Sequence, residues 1–264
     1  METATEKEPV VNTENEAVVN TENEPVVKIT GLSKSFKEKQ ILKDVSLEIR
    51  KAENVVVLGK SGSGKSTLIK CMVGLTEPDS GEICIFGKDM ADIDYDELNE
   101  FRIRIGFLFQ SGALYDSMTV YENLAFPLRH HKKDFGMEKI DSLIHEVLEN
   151  VGLPEAGGLM PAELSGGMSK RIGLARTLIL KPEIMLYDEP TTGLDTATAK
   201  EISQLILDMQ RKYKISSLII THDITCAKMT GDRLVMLKEG SIVADGSYDE
   251  LAASDDEWIK SFFI

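Results

Sequence analysis

The chain has 264 residues, of which 42% are hydrophobic and 28% charged, and its formal net charge is −14. This composition is typical of a globular protein with a sizeable buried core. The negative charge disfavours general binding to nucleic acid, because it repels the phosphate backbone. The longest apolar runs are far too short to cross a bilayer, and the acidic N-terminus lacks an apolar leader segment, so we expect a cytoplasmic protein.

The first segment of the chain repeats an acidic, proline-bearing pattern. Copies begin at Glu8, Glu16 and Glu24, and the last copy leads into an apolar stretch at residues 26–29 that predicts the first strand. Two or three copies of so short a repeat cannot bury a core. We therefore predict a disordered acidic tail over residues 1–25 and a folded domain over residues 26–264.

A glycine-rich loop follows the apolar run at residues 55–58 and precedes a helical pattern. Residues 59–66 fit the G-x-x-x-x-G-K-[ST] phosphate-binding loop in the context that this motif requires. Its glycines let backbone N–H groups converge on a phosphate at a helix N-terminus, where Lys65 reaches the β- and γ-phosphates and Ser66 binds Mg²⁺. The loop therefore predicts a nucleoside triphosphate site. The residues predicted to bind it are Gly59, Lys60, Ser61, Gly62, Ser63, Gly64, Lys65, Ser66 and Thr67.

Secondary-structure patterns divide the remaining chain into three parts. Residues 26–87 are rich in strands and turns, apart from the helix after Lys65. Residues 111–180 are mostly helical, with a capping box that starts at Thr119. After that part, strands and helices alternate again, which predicts an α/β fold with a helical insert in its core. The predicted elements are helices at residues 140–148, 199–212 and 248–253 and strands at residues 105–109, 184–187, 218–221 and 242–244.

Two acidic residues, Asp188 and Glu189, follow the apolar strand at residues 184–187. In phosphate-loop proteins an acid at such a strand end holds Mg²⁺, which fits Asp188, and Glu189 can poise the attacking water. A solvated strand end would explain the two acids nearly as well if they stood alone. The phosphate loop earlier in the chain favours the catalytic interpretation.

A second glycine motif begins at Ser165, an N-cap type of residue that is followed by Gly166, Gly167 and a helical pattern. This arrangement predicts a second anion site at a helix N-terminus, distant in sequence from the first. An ordinary capped helix start explains the segment better when the segment is taken alone. Its context in the whole chain decides between the two.

These motifs occur in a fixed order with three further residues, which are Gln110 after an apolar strand, Asp195 after a leucine, and His222 after another strand. Over nearly the whole predicted domain, the chain resembles the ATP-binding-cassette (ABC) ATPase family. The resemblance implies a RecA-like phosphate-loop core with an N-terminal antiparallel β subdomain and an α-helical subdomain inserted at about residues 111–180. It also implies hydrolysis of ATP with Mg²⁺ as the metal cofactor.

The resemblance also implies catalytic roles for individual residues. Glu189 matches the catalytic carboxylate, and His222 matches the histidine that contacts the γ-phosphate. Gln110 matches the residue that links Mg²⁺ and the attacking water to the helical subdomain. The metal site implied in this way consists of Ser66, Gln110 and Asp188.

Other residues match positions that meet the nucleotide from outside the phosphate loop. Phe36 stands where the family has an aromatic residue that stacks on adenine, although a core phenylalanine would also fit. Ser165, Gly166 and Gly167 match the signature loop, which in the family touches the γ-phosphate of nucleotide held by the opposite subunit. Asp195 would line the same interface. The resemblance therefore implies a homodimer that closes on ATP and parts after hydrolysis.

Residues 110–129 are similar to the segment that follows the glutamine in ATPases of Mla-type phospholipid transporters. Met168 stands where ABC ATPases most often have glutamine, and this departure fits the same group. The resemblance implies an MlaE-like integral-membrane permease and an MCE-type lipid-binding protein as partners. The implied function is phospholipid transport between membranes, with the ATPase peripheral to the cytoplasmic face of the inner membrane.

Three other functions remain open at this point. The chain could serve another ABC transporter, for amino-acid import or lipoprotein release. It could be a non-transport ABC ATPase of DNA repair or translation, although the acidic charge and the single cassette argue against that class. It could also be a catalytically silent regulatory module, which the retention of Lys65, Asp188, Glu189 and His222 disfavours.

The last residues are unusually aromatic for a chain end, with Trp258, Phe262 and Phe263 close together. The simplest expectation is that they pack onto their own domain as a last apolar patch. A contact with another subunit is the alternative.

Overall fold

The computed structural model describes residues 24–110 and 112–263 of the chain. Most of the predicted acidic tail therefore lies outside the described residues, and the boundary at residue 25 stays a prediction. Within the described part of the chain, no helix is both long enough and apolar enough to span a bilayer.

The strands of the described residues form two sheets. They are β1 (Val27–Phe36), β2 (Lys39–Ile49), β3 (Asn54–Leu58), β4 (Ser80–Ile85), β5 (Lys88–Asp89), β6 (Ile105–Leu108), β7 (Ile184–Asp188), β8 (Ser216–Thr221), β9 (Arg233–Lys238) and β10 (Ser241–Gly246). The first sheet has the strand order β2-β1-β4-β5 and the second has the order β10-β9-β3-β8-β7-β6.

The first sheet is antiparallel throughout. In β1, Val27 and Ile29 are buried while Lys28 and Thr30 are exposed. This alternation is typical of a strand that has one face on the core and one in water. The predicted N-terminal antiparallel subdomain is confirmed.

The second sheet is parallel except for the pair β9–β10. Val55 and Val57 point into one apolar core, shared with the first sheet, and Val56 and Leu58 point into another core beneath the helices. A strand that is covered on both faces reads as a continuous apolar run, which is the pattern of residues 55–58. Because the strands are parallel, their carboxyl ends meet at one edge of the sheet.

Helices connect the strands and cover the second sheet. They are α1 (Lys65–Met72), α2 (Tyr95–Arg104), α3 (Val120–His131), α4 (Met137–Asn150), α5 (Gly166–Leu178), α6 (Thr196–Tyr213), α7 (Ile224–Thr230), α8 (Tyr248–Ala252) and α9 (Glu257–Lys260). Between β6 and β7 the described chain is helical or irregular, as predicted for an insert at about residues 111–180. The predicted α/β fold of the ABC ATPase type is confirmed.

Helix α3 starts at the predicted capping box. The Thr119 hydroxyl accepts a bond of 3.2 Å from the Glu122 N–H, and the Glu122 carboxylate accepts one of 2.8 Å from the Thr119 N–H. Pro127 lies inside the helix, but the helix continues to His131 despite the backbone bond that proline cannot make. Burial of Leu124 and Leu128 on either side of the proline outweighs this loss.

Some elements differ from the sequence-based expectation. The strand predicted at residues 105–109 ends at Leu108, and the helix predicted at residues 199–212 begins earlier, at Thr196, because Asp195 caps it. Helices α2 and α7 were not predicted. The apolar run at residues 234–237 is too short to cross a membrane and was not predicted as a strand, yet it lies in β9 and pairs with β3 along the sheet.

The aromatic C-terminus packs on its own domain, as expected. The Trp258 and Phe262 ring centroids lie 4.9 Å apart, and the Tyr248 and Phe263 centroids lie 5.2 Å apart. The Lys238 ammonium lies 4.9 Å from the centroid of the Trp258 ring, which favours this position through a cation–π contact.

Candidate active site

The phosphate loop joins the buried strand β3 to helix α1. Gly62 has φ 80° and Gly64 has φ 109°, in the left-handed region that favours glycine. A Cβ atom on Gly64 would also lie 2.8 Å from the Ile41 carbonyl oxygen, and one on Gly59 would lie 2.4 Å from the Leu237 oxygen. The loop therefore requires these glycines for both its conformation and its close packing.

Lys65 is the first residue of α1, and its ammonium group reaches back across the loop. Its Nζ donates to the Gly59 carbonyl at 2.7 Å and to the Lys60 carbonyl at 3.3 Å, and lies 4.0 Å from Glu189 Oε1. Burial lowers the pKa of Lys65, while the negative charges of Glu189 and then Asp188 raise it. The ammonium group is therefore held where it can turn toward a bound phosphate.

Ser66 and Asp188 form a pair of oxygen donors at the floor of the site. The Ser66 hydroxyl donates to Asp188 Oδ1 at 3.2 Å, which joins the start of α1 to the end of β7. Burial raises the pKa of Asp188; the bond from Ser66 lowers it, and the nearby Glu189 raises it further. One carboxylate and one hydroxyl, completed by substrate phosphates and water, are the hard oxygen donors that Mg²⁺ prefers. The donor set therefore fits the predicted metal.

Glu189 lies one residue beyond β7 and is paired with His222 at the end of β8. Glu189 Oε2 is 2.8 Å from His222 Nδ1 and accepts a bond of 3.1 Å from the Thr192 hydroxyl. The backbone of Glu189 has φ 53°, held by a bond of 2.9 Å from its N–H to the Ile220 carbonyl. A non-glycine residue seldom adopts this conformation, and here it aims the carboxylate at the loop rather than along the strand.

A cavity of about 690 Å³ lies over these groups at the carboxyl edge of the sheet. The predicted residues in its wall are Gly59, Lys60, Ser61, Gly62, Gly64, Lys65, Ser66, Thr67, Gln110, Asp188, Glu189 and His222. Ser63 lies within the same loop with its hydroxyl buried. The fold therefore brings together residues that are up to 163 positions apart in the sequence (Gly59 and His222).

Four further residues of the wall were not predicted as site residues. They are Lys39, Ile41, Thr192 and Phe262. Thr192 follows Glu189 by three positions, so a search for hydroxyls one turn after the acid would have found it. Phe262 carries no local signal, because only the packing of the chain end places it beside the phosphate loop.

Phe36 lies outside this wall, at the end of β1. Its side chain is 50% exposed, and the Lys34 ammonium lies 5.5 Å from its ring centroid. The alternative interpretation of Phe36 as a core residue is therefore wrong. Its stacking on adenine stays a prediction.

The signature loop lies apart from the cavity of its own molecule. Ser165 caps α5, with its hydroxyl accepting a bond of 3.3 Å from the Met168 N–H. A Cβ atom on Gly167 would lie 2.7 Å from the Thr198 methyl carbon, and Asp195 bonds the Thr198 hydroxyl at 2.6 Å. The signature loop and Asp195 are thus neighbours, and neither lines the cavity at the phosphate loop.

Comparison with known proteins identifies the family. The family model described as ABC transporter matches residues 42–192. This chain belongs to the ABC transporter family. Membership makes it an ATP-hydrolysing subunit, and the matched segment runs from β2 through the phosphate loop and Ser165 to Asp188 and Glu189.

Two relatives in this family share 42% of their aligned residues with the chain. One is the probable ribonucleotide transport ATP-binding protein mkl of Mycobacterium leprae, with 236 residues aligned, 89% of this chain and 68% of the relative. The other is the chloroplastic protein TRIGALACTOSYLDIACYLGLYCEROL 3 of Arabidopsis thaliana, with 245 residues aligned, 87% of this chain and 70% of the relative.

A solved ABC structure shares the fold. The ATP-binding cassette MJ0796, in a dimeric post-hydrolysis state bound to ADP and phosphate, superposes with a TM-score of 0.77 at 34% identity. The match covers 84% of this chain and 98% of the cassette. Cassettes of this ABC family dimerise and pair with membrane permeases.

Proposed function

We propose that this ABC ATPase powers the transport of phospholipid between membranes, through an MlaE-like permease that works with an MCE-type lipid-binding protein. One observation carries the enzymatic part of this proposal. Lys65, the pair Ser66–Asp188 and the pair Glu189–His222 converge on one cavity at the carboxyl edge of the sheet. The lipid cargo rests on the similarity of residues 110–129 to Mla-type ATPases and on the Arabidopsis relative, which carries the name of a glycolipid.

The cavity has the parts that hydrolysis of ATP requires. Loop N–H groups and the Lys65 ammonium would hold the phosphates. Ser66, Asp188 and Gln110 would hold Mg²⁺, which would supply positive charge to neutralise the phosphates. Glu189 accepts a proton from the attacking water while His222 orients the carboxylate through its Nδ1 contact. Phe36 is the residue we assign to the adenine ring.

We further propose that two copies close head to tail around the nucleotide. Ser165, Gly166, Gly167 and Asp195 lie outside the cavity of their own molecule, so a second copy is needed to bring them to the γ-phosphate. Loss of that phosphate removes the group that joins the two copies and lets them part. A permease attached to both copies would then follow this motion.

A groove between α2, α3 and α5 supports permease docking. Its volume is about 230 Å³, and Phe107, Phe109 and Pro127 are among its lining residues. Tyr115 and Phe126 lie beside it with ring centroids 5.3 Å apart, and each is more than 40% exposed. Such a cluster of exposed aromatic residues is typical of a protein–protein contact. A docked permease would hold the chain at the cytoplasmic face of the inner membrane.

The cargo is tested in proteoliposomes that contain the chain and its co-purified permease. A fluorescent phospholipid should leave the vesicles in the presence of MgATP and an acceptor lipid-binding protein, and the Glu189→Gln variant should not support transfer. Movement of a ribonucleotide or an amino acid, with phospholipid left in place, would contradict the lipid assignment and leave the ATPase assignment intact.

The docking surface is tested with one matched pair of variants. Phe126→Ala should reduce co-purification with the permease while basal ATP hydrolysis is kept. Met137→Ala removes another exposed apolar side chain, on the neighbouring helix α4, and should have no effect. Equal recovery of the permease with both variants would place the contact elsewhere.

A further inference from the structure

Helix α5 contacts the backbone that follows β6 at three points on one face. Lys170 Nζ donates to the Gln110 carbonyl, and Arg176 Nη1 donates to the Ala113 carbonyl. Between them, Gly173 has no side chain, and a Cβ atom there would lie 2.9 Å from the Gly112 carbonyl oxygen. Residues three apart lie on the same side of a helix, so one face of α5 contacts the backbone of Gln110, Gly112 and Ala113.

Lys170 is the unusual member of this face, because its ammonium group is buried. The residue is 7% exposed, and the Gln110 carbonyl is the hydrogen-bond acceptor that the structure gives it. Burial lowers the pKa of Lys170, whereas the charges of Glu189 and then Asp188 raise it. Burying an ammonium group costs free energy unless opposite charges compensate for it, and Glu189 and Asp188 provide part of that compensation.

We infer that Lys170 is a positioning residue for Gln110. By donating a hydrogen bond to the backbone carbonyl of Gln110, Lys170 holds Gln110 in the wall of the cavity. Gln110 follows the last residue of β6 by two positions, and the bond from Lys170 fixes its peptide group against α5. This inference rests on the proposed hydrolysis of ATP, for which the side chain of Gln110 is needed.

The same contact connects two parts of the site. Helix α5 begins at the signature loop, and Lys170 follows Ser165 by five positions along it. Because α5 is a continuous helix, a displacement of its signature end also moves Lys170, and with it the backbone of Gln110. In a closed pair of subunits, the signature loop meets one nucleotide while Gln110 meets the other, so Lys170 joins the two sites of the dimer.

The inference is tested with substitutions at Lys170 in the full chain. Lys170→Met removes the charge and the donor at similar length, Lys170→Gln keeps a donor without the charge, and Lys170→Arg keeps both. The control is Lys139→Met, which changes an exposed lysine on α4. We expect Lys170→Met to lower kcat about tenfold and to raise the Mg²⁺ concentration that gives the half-maximal rate. The KM for ATP should stay within about twofold of wild type, because the phosphate loop is unchanged. Lys170→Gln and Lys170→Arg should recover part of kcat.

A second readout does not depend on turnover. The Gly112 N–H donates to the Phe109 carbonyl at 2.9 Å, so its hydrogen exchange reports the order of the segment that Lys170 holds. Exchange at Gly112 should rise at least about fivefold in Lys170→Met and stay unchanged in Lys139→Met. If Lys170→Met does not fold, as judged by the absence of a cooperative melting transition, Lys170→Gln is used instead for both the kinetics and the hydrogen exchange.

Two results would overturn the inference. One is unchanged exchange at Gly112 in the Lys170 variants. The other is a fall in kcat with an unchanged Mg²⁺ requirement, which would mark a general structural loss. A wild-type chain that does not hydrolyse ATP would instead contradict the proposed function, and the exchange measurement would still decide the role of Lys170.

Discussion

The phosphate-loop region and the signature region differ in how far residues of the same chain surround them. Lys65, Asp188 and Glu189 contact one another or their neighbours inside a cavity of the same molecule. Ser165 and Gly166 are exposed and Gly167 is half-buried beside α6, and the cavity wall includes none of them. This contrast supports the proposal that a second copy completes each active site.

The largest expected effect concerns the phosphate-loop side. Glu189→Gln should lower ATP turnover about a thousandfold or more, because the amide cannot accept the proton of the attacking water. Binding of ATP should be retained, since Lys65 and the loop N–H groups are unchanged. Steady-state phosphate release and binding of a fluorescent ATP analogue measure the two properties. Turnover within a few-fold of wild type would remove Glu189 from the role of base.

The next prediction tests whether the site is shared between chains. Lys65→Ala should abolish tight ATP binding, and Ser165→Arg should block turnover while each molecule still binds ATP. Each variant alone should be inactive. An equimolar mixture contains heterodimers in which one site has both an intact phosphate loop and an intact signature loop, so about a quarter of wild-type turnover should return.

Phosphate release by the mixture at increasing protein concentration measures this recovery. The control is a mixture of Lys65→Ala with Glu189→Gln, in which each site carries a defect in its own phosphate-loop half and no site is intact. An inactive first mixture would mean that each molecule works alone, or that the signature loop has another role.

A smaller effect is expected from Gly167→Ala. The added Cβ atom would lie 2.7 Å from the Thr198 methyl carbon, a side chain that can turn only by giving up its bond to Asp195. We expect turnover to fall several-fold with unchanged ATP binding by the separate molecules. Gly158→Ala is the matched control, since nothing lies within 4 Å of its added atom. Equal turnover of the two variants would show that the spacing between α5 and α6 does not matter.

The smallest expected effect is on stability and concerns Asp188. Burial raises the pKa of this carboxyl above its value in the unfolded chain, so the folded state binds the proton more tightly. Its charge therefore costs stability increasingly as pH rises from the unfolded pKa through the folded one, and the cost is full at neutral pH. Asp188→Asn should raise the Tm of the nucleotide-free chain by about 2–4 °C at pH 7 and by less at pH 4.

Calorimetry at both pH values, with and without MgADP, measures this prediction. The variant should lose the additional Mg²⁺-dependent rise in Tm that the wild type gains with nucleotide. A variant that is less stable than wild type without nucleotide would contradict the electrostatic argument.

Local patterns predicted much of the fold and of the phosphate-loop half of the site. The glycines at 62 and 64 adopt the positive φ values that the motif requires, and the capping box at Thr119 forms as written. These features depend on neighbours within a few residues, which the sequence shows directly. Helix α7 and strand β9 were missed because their apolar residues are defined by packing on β3 and α6 rather than by a clear period.

The sequence by itself determined the chemistry of the loop, the acids at the end of β7 and the caps of α3 and α5, because each depends on adjacent residues. Only the tertiary structure decided that Phe262 reaches the cavity wall, that Gly167 contacts Thr198 and that Lys170 binds the Gln110 carbonyl. These arrangements bring together residues from segments up to 203 positions apart, since Gly59 and Phe262 line the same cavity, so no local pattern encodes them. They form because parallel strands bring distant loops to one edge of the sheet and the shared apolar cores fix the helices that carry their partners.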